Sequence, residues 1–137
     1  MEKETENKLK SKNIRPTSMR ILIYDYLRTL TVALSLTEIE HHFHKADRIT
    51  IYRTLQTFEE KGLVHSIVDD NGTKYKMSAE GRGEAHRDAH LHFYCKKCGQ
   101  TTCKESITFP QLPNAGFRID EIQIMAKGIC EKCLDKE

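Results

Sequence analysis

Apolar positions follow helical spacing between residues 15 and 62 and shorter, strand-like spacing after it. Pro16-Thr17 opens a helix whose apolar positions include Ile21, Leu22, Leu27 and Leu30. Ser35-Leu36-Thr37-Glu38 sets a serine cap with a glutamate three residues on, a capping box that starts a short second helix running to about Ala46. Asp47 caps a third helix, where Ile51, Leu55 and Phe58 recur at i, i+4 and i+7 and form one buried stripe. Gly62 ends it, at a position that takes left-handed backbone. Beyond it, residues 63–68 and 73–77 flank Asp69-Asp70-Asn71-Gly72, and Asn-Gly between β-prone runs predicts a hairpin. Helices followed by such a hairpin describe a winged helix-turn-helix.

The polar stretch 78–86 carries Gly81 and Gly83 and reads as a hinge. It divides the chain into a winged-helix DNA-binding unit, residues 1–80, and a second unit of short strands, turns and cysteines, residues 81–137. The expected fold class is α+β. Pro110 and Pro113 interrupt the helix that 106–115 would otherwise form.

The third helix suggests a partner. With its apolar stripe turned inward, Arg48, Tyr52, Arg53 and Gln56 are left facing solvent. Arginine and glutamine read guanine and adenine edges, and a tyrosine ring packs on a thymine methyl. The net charge of +2 adds nothing, but Lys8, Lys10, Lys12, Arg15 and Arg20 lie together with no acid among residues 8–20. Such a run is equally a solvated helix face.

Hydrophobic residues make up 38% of the 137, which is lean for one large core and suits small units held by metal or by oligomerisation. No apolar run is long enough to span a bilayer, and the polar start after Met1 shows no signal peptide, so a cytoplasmic protein is expected. In a reducing compartment its five cysteines are thiolates or metal ligands, not disulfides.

Cys95-x-x-Cys98-Gly99 and Cys130-x-x-Cys133 are two knuckles, each aiming two thiolates at one point. Together they make a tetrahedral four-cysteine shell for structural zinc. Cys103 is left over, and His90 and His92 alternate just upstream on an expected strand, so that both imidazoles face one side. The chain returns after the knuckle to bring Cys103 beside His92. A second metal site is therefore expected from His90, His92 and Cys103, with His86 or Asp88 of the hinge as the fourth ligand. A buried thiol with two solvated histidines is the bland alternative. The cluster His41-His42-x-His44 offers a further ligand, or is solvated. No HExxH, Gly-rich phosphate loop or nucleophile–base pair points to an enzyme.

The chain resembles the ferric uptake regulator family. The resemblance rests on Thr50-Ile51-Tyr52-Arg53-Thr54-Leu55, on Glu59-Glu60-Lys61-Gly62-Leu63-Val64, on His90-x-His92-x-x-Cys95-x-x-Cys98-Gly99 and on Gly128-Ile129-Cys130-x-x-Cys133. It implies a homodimeric, metal-dependent repressor whose winged helix binds AT-rich palindromic double-stranded DNA and whose C-terminal unit dimerises. Carried over, Tyr52 and Arg53 contact the major groove and Arg15 the minor groove. The sequence departs from the iron-sensing pattern at Leu91 between the two histidines, at Lys76 for a wing glutamate, near Ala33 and Ile122 for histidines, and at Cys103 for a glutamate. A thiolate for a carboxylate softens the site and favours zinc over ferrous iron as the second, regulatory metal. The resemblance thus leans towards the zinc uptake regulators. An iron- or peroxide-responsive regulator, or a metal-blind DNA-binding protein with structural zinc alone, are the alternatives.

Overall fold

A computed structural model describes residues 2–78, 90–108, 116–118 and 122–136. The hinge expected at 78–86, apart from Ser78, and the proline-interrupted stretch at 109–115 lie outside the described residues.

Four helices lie before the hairpin: α1 (Glu2–Ser11), α2 (Ser18–Leu27), α3 (Leu36–His42) and α4 (Arg48–Glu60). Thr17 caps α2, its hydroxyl accepting from the Arg20 amide at 3.3 Å. The capping box of α3 forms in full. The Ser35 hydroxyl takes the Glu38 amide at 3.1 Å, and the Glu38 carboxylate takes the Ser35 amide at 3.0 Å. Asp47 occupies the cap of α4 through its backbone carbonyl, which accepts from Ile51 at 3.1 Å, while its carboxylate makes no capping bond. The stripe Ile51, Leu55 and Phe58 is fully buried.

Two helices end in the same way. Gly62 is left-handed (φ 74°), its amide reaches the Glu59 carbonyl at 3.0 Å, and the Leu63 amide reaches that of Phe58 at 2.8 Å. Asn13 (φ 59°) repeats this at the end of α1, with Asn13 bonded to Lys10 at 3.0 Å and Ile14 to Leu9 at 2.9 Å. Each closure folds an apolar residue back on the last turn, Leu63 on Phe58 and Ile14 on Leu9. Helix α1 lies in a stretch whose helicity the apolar spacing does not signal, because its buried side is only Thr5 and Leu9, one turn apart. The Thr5 hydroxyl donates to Asp25 of α2 at 2.5 Å and fixes the helix in place.

The hairpin forms between β2 (Val64–Asp69) and β3 (Gly72–Met77), with Asp70 and Asn71 as the connection and the positive φ (107°) on Gly72. The second unit supplies β4 (His90–Cys95), β5 (Thr101–Thr108), β6 (Ile124–Gly128) and the short α5 (Glu131–Leu134).

A strand the helical reading of 15–62 passes over, β1 (Val32–Ser35), joins everything. It pairs antiparallel with β3, Leu34 opposite Tyr75, and on its other side with β5, Val32 opposite Thr102. One six-stranded sheet results, in the order β2-β3-β1-β5-β4-β6. Its two edges then meet. The Gln123 side chain, just before β6, donates to the Val68 carbonyl of β2 at 2.9 Å, and Lys127 of β6 binds Asp70 at 2.6 Å. The sheet therefore curls on itself, which no spacing in the sequence announces.

The main apolar cluster lies among α1–α4 and the hairpin, from Leu9 and Ile14 through Ile39 and Phe58 to Tyr75. Phe58→Ala should lower unfolding free energy by about 3–5 kcal/mol, since the ring is fully buried and its site cannot collapse. Urea unfolding would check this, and a loss under about 1 kcal/mol would place the core elsewhere.

Candidate metal centres and nucleic-acid face

Cys95 ends β4, Cys98 follows on the turn, Cys130 caps α5 and Cys133 sits on it. The four sulfurs lie within 4.8 Å of one another. A tetrahedral zinc with 2.3 Å bonds separates its sulfurs by about 3.8 Å, and Cys98 Sγ and Cys130 Sγ stand 3.9 Å apart. The donor set fits the ion. Backbone amides prepare it: those of Cys98 and Cys130 both point at Cys95 Sγ, each at 3.4 Å. These two bonds, that from Cys98 foremost, pull the Cys95 thiol down to about 6. Burial, with the neighbouring sulfurs, pushes the Cys133 thiol up to about 12.

The second cluster is His65, His92 and Cys103, again within 4.8 Å. His92 stands opposite Cys103 across β4 and β5, with Nδ1 to Sγ 3.2 Å. His65 Nε2 approaches the same sulfur at 3.5 Å, and the two imidazole centroids are 5.5 Å apart. Zinc bonds of 2.0–2.1 Å to nitrogen and 2.3 Å to sulfur would hold such atoms about 3.5 Å apart in a tetrahedron. This set fits a borderline ion as well. His92 is buried, 5% exposed, while His65 and Cys103 are half-buried.

Of the residues expected here, the structure brings His92 and Cys103 together. His86 and Asp88, and the side chain of His90, lie outside the described residues. The pairing of β4 with β5 slips between His90, opposite Thr108, and Leu91, opposite Lys104, the extra residues falling on β5. The sequence reading misses His65. It belongs to the hairpin's first strand and reaches the site only because the sheet curls. The one available signal is a lone histidine among the apolar residues of Val64–Asp69. Lys76, at the place of the family's wing glutamate, faces His65 across the hairpin and offers no oxygen ligand. The histidines at the end of α3 and just after it do not join a cluster among the described residues: His42 stacks on Tyr26 with ring centroids 3.7 Å apart, and His41 and His44 are exposed.

The outward side of α4 presents Tyr52, 42% exposed, with Arg53 and Gln56 beside it. The Gln56 amide donates to the Tyr52 hydroxyl at 3.2 Å, which orients both. Arg48 is exposed but pulled back against α3 by Glu40 at 2.7 Å, so it stands at the margin of this face. Ile49, 57% exposed, is an apolar member that the sequence reading does not single out. Arg15 is exposed between α1 and α2, and its carbonyl receives the Arg20 guanidinium at 2.9 Å.

A model of the ferric uptake regulator family matches residues 11–127. The chain belongs to that family. A ferric uptake regulation protein of Staphylococcus epidermidis is 30% identical over 91 residues, which are 64% of this chain and about 60% of that protein's length. Among solved structures, a zinc uptake regulator complexed with zinc and DNA superposes with a TM-score of 0.70 at 19% identity, covering 98% of this chain and 93% of that one. The Helicobacter pylori ferric uptake regulator, with three functional metal binding sites, gives 0.61 at 17% identity over 98% and 94%. These superpositions establish the ferric uptake regulator fold, a winged helix followed by a small sheet with a four-cysteine cluster. No helix among the described residues is long and apolar enough to cross a membrane.

Loading the four-cysteine site at pH 7 should release protons. Cys95 is ionised above about pH 6, but Cys133 must surrender its proton to the metal. Zinc affinity should therefore weaken as pH falls from about 8 to about 6, by about tenfold per unit for each proton displaced. Calorimetry in buffers of different ionisation enthalpy would detect this, and a pH-independent affinity would contradict the assigned thiol states.

Proposed function

We propose that this chain is a metal-dependent transcriptional repressor, zinc-responsive, that binds AT-rich palindromic DNA as a homodimer. The observation that carries the reading is the place of the second cluster. His65 comes from the winged-helix hairpin, whereas His92 and Cys103 come from the second unit. An ion held by all three ties the two together and favours one separation of the units, which is what coupling metal to DNA affinity requires. The structural zinc is assigned to Cys95, Cys98, Cys130 and Cys133, which join β4 to the chain's last helix.

Zinc is favoured over ferrous iron because the described ligands are two imidazoles and a thiolate with no carboxylate. For a fourth ligand the sequence offers His86 and Asp88, both outside the described residues. DNA is read by Tyr52, Arg53 and Gln56 in the major groove, with Ile49 for thymine methyls, Arg48 at the margin and Arg15 beyond it. A single short recognition helix reads few base pairs, hence the two-fold operator and the dimer.

Two experiments test this. Zinc should raise operator affinity on the order of 5–150-fold, and His65→Ala or Cys103→Ser should abolish that rise while the four-cysteine metal and the dimer persist. Titration of DNA binding with zinc, manganese and ferrous iron, beside metal content per chain and sedimentation of the protein, reads all three quantities. One metal per chain with metal-independent DNA binding would sink the sensor. Tyr52→Ala should reduce discrimination by about 1–3 kcal/mol for each base pair that the ring reads, and unchanged discrimination would move the reading face off α4.

A further inference from the structure

The turn of the wing rests on the first knuckle, and one buried side chain holds it there. Lys74 Nζ, on β3, binds the Asp69 carboxylate at 2.8 Å, the Gly99 carbonyl at 2.6 Å and the Thr101 hydroxyl at 3.4 Å. An ammonium has three donors, and these oxygens match their number. Its fourth neighbour is the Tyr94 ring, 5.4 Å to the centroid. The Thr101 hydroxyl also donates to Asp69. Both charged side chains are withdrawn from water, 5% exposed for Lys74 and 0% for Asp69. Gly99 itself is left-handed (φ 78°), and a Cβ there would come within 3.2 Å of Asn71 at the wing's turn. Asp70 is meanwhile held by Lys127.

We propose that Lys74 is a positioning residue that clamps the wing onto the Cys95–Cys98 knuckle, so that the metal held there also sets the position of the recognition helix. The knuckle's shape depends on its sulfurs, through the amide of Cys98 on Cys95 Sγ at 3.4 Å, and the Gly99 carbonyl moves with it. The wing in turn is fixed to α4 by Leu63 on Phe58 and by Ser66 on Glu59 at 2.6 Å. Occupancy of the four-cysteine site thus passes through Gly99, Lys74 and β3 to α4. The same geometry gives the acidic turn, Asp69 and Asp70, lysine partners within the protein, where it would otherwise repel DNA phosphates. This identity of the moving part rests on the proposed DNA-binding role, but its test uses no DNA.

Hydrogen exchange on the full chain, with and without metal in the four-cysteine site, reads the coupling. In the unaltered protein, withdrawing the metal should speed exchange roughly tenfold across 96–101 and 72–77 together, before 32–35 responds. In Lys74→Met/Asp69→Leu, which removes both charges and leaves neither buried alone, 72–77 should exchange at one rate whether or not the metal is present. Cobalt absorption of four-sulfur type would show that the site itself is intact. The clamp is overturned if the double variant keeps metal-dependent protection of the wing. It is overturned equally if β1 in the unaltered chain opens before the wing, since the signal would then run through the β1–β5 pairing.

Discussion

Four cysteine sulfurs converge where the described residues of the second unit bury few other apolar groups. The main apolar cluster lies among α1–α4 and the hairpin, while among the described residues β4–β6 and α5 contribute few buried apolar side chains, chiefly Tyr94, Cys95 and Cys133. Bringing the short α5 against the end of β4 fixes backbone at about 1–2 kcal/mol per residue. A closed four-cysteine metal shell, worth roughly 10–16 kcal/mol of apparent binding free energy in small zinc domains, offsets that cost. Burial pushes the Cys133 thiol up to about 12, so a metal bound there displaces its proton. An ion there would therefore add most to the local stability of the knuckle and of α5.

The curl of the sheet follows from where β1 sits. By pairing with β3 on one side and β5 on the other it makes one surface of both units. The surface closes far enough for Val68 and Gln123 to bond, and His65 is carried across to Cys103. The second cluster thus draws a ligand from the docked wing, whereas the four cysteines all come from the second unit. That difference makes the wing a structural part of the second site and only a neighbour of the first, joined to it through Lys74.

Local chemistry makes the helices legible. Ser35 with Glu38, Gly62, and the spacing of Ile51, Leu55 and Phe58 each name an end or a face without reference to anything distant. The two CxxC knuckles are equally local. What stays unread in the sequence is what depends on remote partners. Helix α1 is stabilised by Thr5 on Asp25 and by Leu9 in a core supplied by other helices, and its own composition shows no stripe. Strand β1 is four residues long and exists because β3 and β5 flank it. His65 gives only the weak signal of a lone histidine within Val64–Asp69, and its partner Cys103, 38 residues on, is set by the curl. The return of Cys103 to His92 is readable because a tight turn joins the two strands; the third ligand is not, because the curl brings it.

Two constraints act on the same wing, and they pull a sensor in opposite directions. A wing clamped by Lys74 presents His65 to His92 and Cys103 in advance, and a ligand site already formed loses none of its affinity to rearrangement. Yet a wing that never leaves gives the second metal nothing to shift, since a ligand moves an equilibrium only by its preference between states. The clamp must therefore be specific in geometry and modest in net energy. A buried ion pair has that character: the desolvation of Lys74 and Asp69 consumes most of their attraction, so their net contribution to stability is small although their directions are strict. Burial alone would raise the Asp69 pKa, but the bonds from Lys74 and Thr101 outweigh it and hold the carboxyl below its usual range. The group is thus ionised wherever the protein works, and only acid below about pH 4 would loosen the clamp by protonation. At neutral pH its strength is left to the one variable the knuckle can sense, the metal between Cys95 and Cys98.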